Sequence, residues 1–214
     1  MTGRRLTSID RFLAGLDDAL RTVAGPAPAT PRRYPAEGVA EPELDLRAAV
    51  HAAGLMRVNH AGEVAAQGLY QGHAAVARDA ALAEQMQAAA DEELDHLAWC
   101  ERRLGELGAA RSRLSPLWYG GAFAVGAASG LFGDRWSLGF IAETERQVCD
   151  HLERHLDALP AADLRSRAIV RQMRDEEAGH GTDARNAGAA ELPLPVKRLM
   201  RMTARVMTAT AYRL

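Results

Sequence analysis

The chain has 214 residues, 26 Lys and Arg against 28 Asp and Glu, a formal net charge of −2 and two cysteines. That length suits one domain with one sizeable core, and the near-neutral balance excludes nucleic acid as the main partner. Aromatic residues are scarce at 5% while Ala, Leu and Arg abound, a composition that points to an all-α protein.

Residues 8–23 set Ile9, Phe12, Leu13, Leu16, Leu20 and Val23 at helical spacing, which predicts a short amphipathic helix. Arg4, Arg5, Asp10, Arg11, Asp17 and Asp18 interrupt every apolar run there, so no secretory signal is expected. The Pro-rich stretch 25–42 reads as a linker, making 1–42 an N-terminal appendage to a functional domain over 43–214. Bundle helices are predicted over 43–78 and 79–107, the second stopped by Gly108. After the uncharged run 114–133, two more are predicted over 134–159, closed by Pro160, and over 163–188. Beyond Leu192-Pro193-Leu194-Pro195, residues 196–214 form a last helix. Lys197, Arg201 and Arg205 lie on one side of it, and Val196, Leu199, Met200, Val206 and Met207 on another. That pattern suits an anionic membrane surface and suits packing on the bundle equally well. Cys100 and Cys149 both fall on apolar stripes and read as buried thiols in a reducing compartment.

The motif Asp-Glu-Glu-x-x-His occurs twice, at Asp91 to His96 and at Asp175 to His180. Three residues make nearly one helical turn, so Glu93 with His96, and Glu177 with His180, share a face. One such pair is commonly a solvated helix face; two, with further carboxylates in phase, are a metal-ligand pattern. A bundle that binds two metals takes one more Glu from each remaining helix. Glu63 and Glu145 precede the two motifs by nearly equal intervals, a degenerate internal repeat. Helical phase prefers Glu145, which is aligned with Val148, Cys149, Leu152 and Leu156, over Glu143, which is aligned with Arg146, Gln147, Asp150 and Arg154 and is expected to face water. Four carboxylates on apolar stripes would be costly unless cations compensated them. Mixed carboxylate and imidazole donors, too few to saturate two octahedral ions, suit iron or manganese with open positions.

The run 114–133 is long enough to span a bilayer, yet a span there would part Glu145 and Glu177 from Glu63 and Glu93. It is expected to lie in the membrane interface or to wall an apolar pocket, with Trp118, Tyr119 and Trp136 as interfacial anchors. A buried core helix is the plainer alternative.

The run Arg57-Val58-Asn59-His60-Ala61-Gly62-Glu63, continuing to Leu69-Tyr70-Gln71-Gly72, resembles the first iron-ligand motif of the demethoxyubiquinone hydroxylase family. Asp91 to His96, Pro116-Leu117-Trp118, the Gly-Ala-rich stretch, Glu145 with His151, and Arg174 to His180 follow in that family's order, covering about Leu46 to the C-terminus. The resemblance implies a ferritin-like four-helix bundle with extra amphipathic helices and a di-iron centre held by Glu63, Glu93, His96, Glu145, Glu177 and His180, with Glu93 and Glu177 bridging. It further implies a peripheral protein on the cytoplasmic face of the cell membrane. The expected reaction is hydroxylation of a polyprenyl quinone or quinol in ubiquinone biosynthesis, using O2 and an external two-electron donor, with other proteins of that route as partners. Tyr70, seven residues beyond Glu63, is expected to face the metals, and His151 to face the substrate or a neighbouring helix. Asn59 and His60 are expected near the ligands, whereas His51, His73 and His155 read as surface or packing residues. A ferritin-type iron-storage protein or a rubrerythrin-like peroxidase would use the same six ligands, but storage has no use for the Gly-rich apolar run or the basic last helix, and a rubrerythrin would normally bring a Cys-rich iron module, which two cysteines do not supply.

Overall fold

The computed structural model describes residues 8–25, 32–40 and 43–214. Seven helices appear among them and no strand: α1 (Ser8–Ala24), α2 (Leu46–Val76), α3 (Ala80–Glu106), α4 (Ser115–Leu131), α5 (Asp134–Ala158), α6 (Leu164–Asn186) and α7 (Leu194–Ala211). Local chemistry sets several ends. Asp45 accepts from the Ala48 amide at 2.7 Å to start α2, and Asp163 accepts from the Ser166 amide at 3.0 Å to start α6. Gly108, with φ of 66°, takes the left-handed conformation just past α3.

Helices α2, α3, α5 and α6 form the bundle. Two apolar clusters fill it, one with Met56, Trp99, Leu152 and Met173, the other with Tyr70, Met86, Ile141 and Ala184. Each large side chain removed from water contributes roughly 1.5–3 kcal/mol. Along α2 and α6 the chain passes from the first cluster to the second, and along α3 and α5 from the second to the first. In every bundle helix the conspicuous carboxylate falls between the two, so the polar residues share one level of the bundle.

Helix α4 lies along α2 through glycine. A Cβ at Gly68 or Gly72 would strike the Tyr119 or Phe123 carbonyl oxygen, and one at Gly126 would strike that of Leu69. Small residues therefore face inward, and Leu117, Val125, Leu131 and Phe132 stay exposed. Tyr119 is buried and hydrogen-bonded to Gln71, so it is no interfacial anchor: its position in the helix turns it toward α2. Trp118 and Trp136 are half-buried. Among the described residues no helix is long and apolar enough to cross a membrane.

Of the stripe expected on α1, the side chains of Ile9, Phe12, Leu13 and Leu16 lie outside the described residues. Leu20 is exposed, while Val23 packs against the cluster of Val64, Leu97 and Tyr119. In the stretch read as a linker, 26–31 and 41–42 likewise lie outside the described residues, but 32–40 is packed. Tyr34 and Ala36 are buried in the core, and the Tyr34 hydroxyl donates to Glu106 at 3.1 Å. Cys100 is buried and Cys149 half-buried, both as free thiols.

Candidate metal centre

The six carboxylate and imidazole residues converge where the bundle helices pass between the apolar clusters. Five of them are almost fully buried, and the sixth, His180, keeps 15% of its side-chain surface. On α3, His96 Nδ1 lies 2.8 Å from Glu93 Oε2, and across the bundle it lies 3.2 Å from Glu177 Oε1 and 3.8 Å from Glu63 Oε2. On α6, His180 Nδ1 lies 2.9 Å from Glu93 Oε1 and 3.4 Å from Glu177 Oε2. Glu93 and Glu177 thus each offer one oxygen to either imidazole, the disposition a bridging carboxylate needs. Glu63, Glu93, His96 and Glu177 place one ligand atom each within 4.8 Å of one another. Glu145 completes the level, and its Oε1 accepts from the Tyr70 hydroxyl at 2.7 Å.

A buried polar atom without a partner is costly. Here both oxygens of Glu93, Oε2 of Glu177 and Nδ1 of both His96 and His180 lack hydrogen-bond partners. These are the atoms that face one another, so the donor set fits metal ions of the class that takes carboxylate and imidazole together. Electrostatics agrees. Burial, then Glu93 and Glu177, pushes Glu63 well above the usual carboxylate range, and burial, then Glu177 and Glu93, does the same to Glu145. Burial opposes ionisation of Glu93 too, but the imidazoles of His96 and His180 hold it low. Burial likewise disfavours charge on both imidazoles, yet the carboxylates win. His96 rises well above its ordinary value and His180 to about 12. The protein by itself balances its carboxylates with protons where cations would serve.

Two residues that sequence reasoning missed complete the shell. His96 Nε2 bonds to Glu176 Oε2 at 2.7 Å, and His180 Nε2 bonds to Glu92 Oε2 at 2.9 Å. Each repeated motif thus supplies the carboxylate that orients the other motif's imidazole, leaving Nδ1 toward the centre. The signal was present as the first Glu of both copies. It was unread because phase on one helix cannot reveal contact with another.

Other expected residues have different neighbours. Glu143 does point away from the centre but does not face water. It is buried beneath α7, bonded to Arg146 at 2.7 Å and Gln147 at 2.7 Å, with Lys197 and Arg201 each 3.7 Å away. A helix packed over that face, invisible to periodicity, covers it. His151 has His155 as its ring partner at 3.9 Å. His60 is buried and its Nε2 lies 3.9 Å from Glu101, too far for a hydrogen bond. Asn59 donates to Met56 Sδ. His51 bonds to the Tyr212 hydroxyl at 2.7 Å. His73 is buried beside Ser129 and Ser137 on α4 and α5.

A cavity of about 140 Å³ reaches the centre between α3, α5 and α6, lined by Tyr70, Met86, Ile141, His180 and Ala184 among others. Its walls are mixed: Met86, Leu138, Ile141 and alanines make the apolar part, and Gln85, Glu92, Asp183, Tyr70 and His180 the polar part, with Tyr70 and His180 at its inner end.

Residues 50–211 match the family described as ubiquinone biosynthesis protein COQ7. Among similar proteins, one from Nitrosococcus oceani is 54% identical, the alignment covering 99% of both chains. One from Chromobacterium violaceum is 55% identical over 96% of this chain and 99% of its own, and one from Cupriavidus necator is 56% identical over 96% and 100%. All three relatives are named 3-demethoxyubiquinol 3-hydroxylase.

Proposed function

The chain belongs to the ubiquinone biosynthesis protein COQ7 family, and from that premise we propose the role of its buried centre. The protein is a hydroxylase of ubiquinone biosynthesis that acts on the ring of a demethoxyubiquinol. Glu63, Glu93, His96, Glu145, Glu177 and His180 would hold two iron ions, with Glu93 and Glu177 between them. The observation that carries this reading is the pair of bridging dispositions, in which each of these two carboxylates presents one oxygen to each imidazole. When bound, the irons supply the redox chemistry that inserts one atom of O2 into the ring, the other leaving as water at the expense of an external two-electron donor.

The protein's own groups do the rest. Glu176 and Glu92 hold the imidazoles in one tautomer, and the Tyr70 hydroxyl holds Glu145. Apolar packing above and below the centre keeps bulk water out. The cavity beside Tyr70 and His180 offers the ring a way in. The outward apolar residues of α4, with Leu199, Met202 and Val206 of α7, would rest on the cytoplasmic face of the membrane and let the polyprenyl tail remain in lipid. Lys197 and Arg201 each lie 3.7 Å from Glu143, while Arg198 and Arg205 of α7 are exposed and would meet an anionic surface beside the apolar residues.

The test is conversion of a demethoxyquinol to its hydroxylated product by the iron-loaded chain with a reductant. Glu177→Ala is expected to form none and to bind less than two irons. Wild-type chain that holds two irons and makes no product would overturn the assignment.

A further inference from the structure

We propose that Arg32 is a positioning residue for the His96 half of the centre and makes the two metal positions unequal; this rests on the two-metal reading above. His96 and His180 hold equivalent places in the repeat, and each gives Nε2 to the first Glu of the other motif. The surroundings of those two carboxylates differ. Arg32 Nη1 lies 3.0 Å from Glu176 Oε2 while Nη2 pairs with Oε1, a forked contact that suits a flat guanidinium. Nη1 also lies 3.3 Å from Asp95 Oδ2, and the guanidinium sits 4.9 Å from the centre of the Trp99 ring. Trp99 in turn packs on His96, ring centroids 5.4 Å apart. Arg32 therefore ties α6 to α3 through both neighbours of the His96 ring. Glu92 is 62% exposed, and among the described residues it pairs with His180 alone.

Arg32 stands before the stretch matched to the family, on a segment with its own anchor. Tyr34, two residues on, is buried, with Arg102 4.0 Å and Arg165 5.8 Å from its ring centre. Removing Arg32 has two opposed effects on a bound cation. Loss of a nearby positive charge would tighten binding. Loss of the fork leaves Glu176 held from its own helix by Gln172 alone, at 2.5 Å, with nothing tying it to α3 except His96 itself, so the ring of His96 is fixed less firmly and binding weakens. The guanidinium is 40% exposed, where screening keeps the charge effect small, so orientation dominates.

The experiment is anaerobic titration of the metal-free full-length chain with Co(II), read by visible absorption, alongside thermal unfolding of each metal-free variant. Wild type takes up two equivalents. Arg32→Gln is expected to bind one of them ~10-fold more weakly and the other unchanged. Arg32→Lys, which keeps the charge without the fork, falls between and serves if Arg32→Gln folds poorly. Arg32→Gln curves equal to wild type, tighter than wild type, or weakened alike at both equivalents would overturn the proposal. Wild type taking fewer than two equivalents would defeat the two-metal reading and this proposal with it, whereas an unaltered variant defeats the proposal alone.

Discussion

Two clusters of buried charge sit in the same bundle, and only one of them completes itself. Arg103, with no exposed side-chain surface, donates to Ser166 Oγ at 2.9 Å, Glu106 at 2.9 Å and Asp163 at 3.0 Å, and Arg165 adds a 2.6 Å pair to Glu106. Of that group Asp163 Oδ2 alone is a buried atom without a partner. At the level of Glu93 and Glu177, five atoms of four side chains face one another without hydrogen bonds. Both clusters bear the cost of burying charge, but the first supplies its own counter-ions and the second leaves that place to something else. Buried charge alone is thus a poor sign of function; unfinished buried charge is a good one.

Acid should separate the imidazoles of the molecule most sharply. Burial holds His73 and His151 down to about 4 and His155 to about 3, the last two also disfavoured by neighbouring cationic groups. Their folded values lie below the unfolded value, so the unfolded chain binds more protons in that window. Stability from these groups is intact above pH 6.5 and is lost as pH falls toward 3, on the order of several kcal/mol in all. Unfolding in denaturant at pH 7, 5.5 and 4.5 measures it, and a flat profile would contradict the buried neutral state. The self-completed cluster comes next. Arg103→Met should lower unfolding free energy by about 3–5 kcal/mol, since it takes the cation from the fully buried Asp163 while Glu106 keeps Arg165, with little change in metal uptake per folded chain. A loss below 1 kcal/mol would blur the contrast between the clusters.

The unfinished cluster should respond to cations instead. His96 and His180 hold protons well above their ordinary range, so metal uptake must expel them. Apparent affinity for Co(II) should rise from pH 6 to pH 8, by up to ~10-fold per pH unit for each proton released. Proton release measured with an indicator dye checks it, and pH-independent binding would mean that the imidazoles are not ligands. The smallest effect belongs to Tyr70→Phe. Loss of its hydrogen bond to Glu145 should cost about 1 kcal/mol and slow turnover modestly while two metals remain bound. Complete inactivity with full metal content would instead give Tyr70 a direct part in the chemistry.

Legibility followed the range of the forces involved. The repeat at Glu93, His96, Glu177 and His180, with Glu63 and Glu145 in phase, could be read because a ligand site on helices imposes a short period on residue type. The seven helices could be read for the same reason, with Gly108 and the prolines marking several of their ends, while the caps at Asp45 and Asp163 emerged only from the structure. Glu143 could not be placed, because α7, which covers it, comes from fifty residues downstream. Tyr34 and Arg32 were hidden by proline-rich surroundings that resemble a linker, and nothing local announces that an arm folds back onto α3 and α6.

The sequence by itself determined the all-helical architecture and which side chains point into the bundle, since both follow from a 3.6-residue period acting within single helices. Only the tertiary structure decided which partner each imidazole takes, that Glu92 and Glu176 cross between motifs, and that Arg32 reaches one half of the centre. Those contacts depend on the distance and rotation between helices, set by how the two apolar clusters and the glycines between α2 and α4 pack.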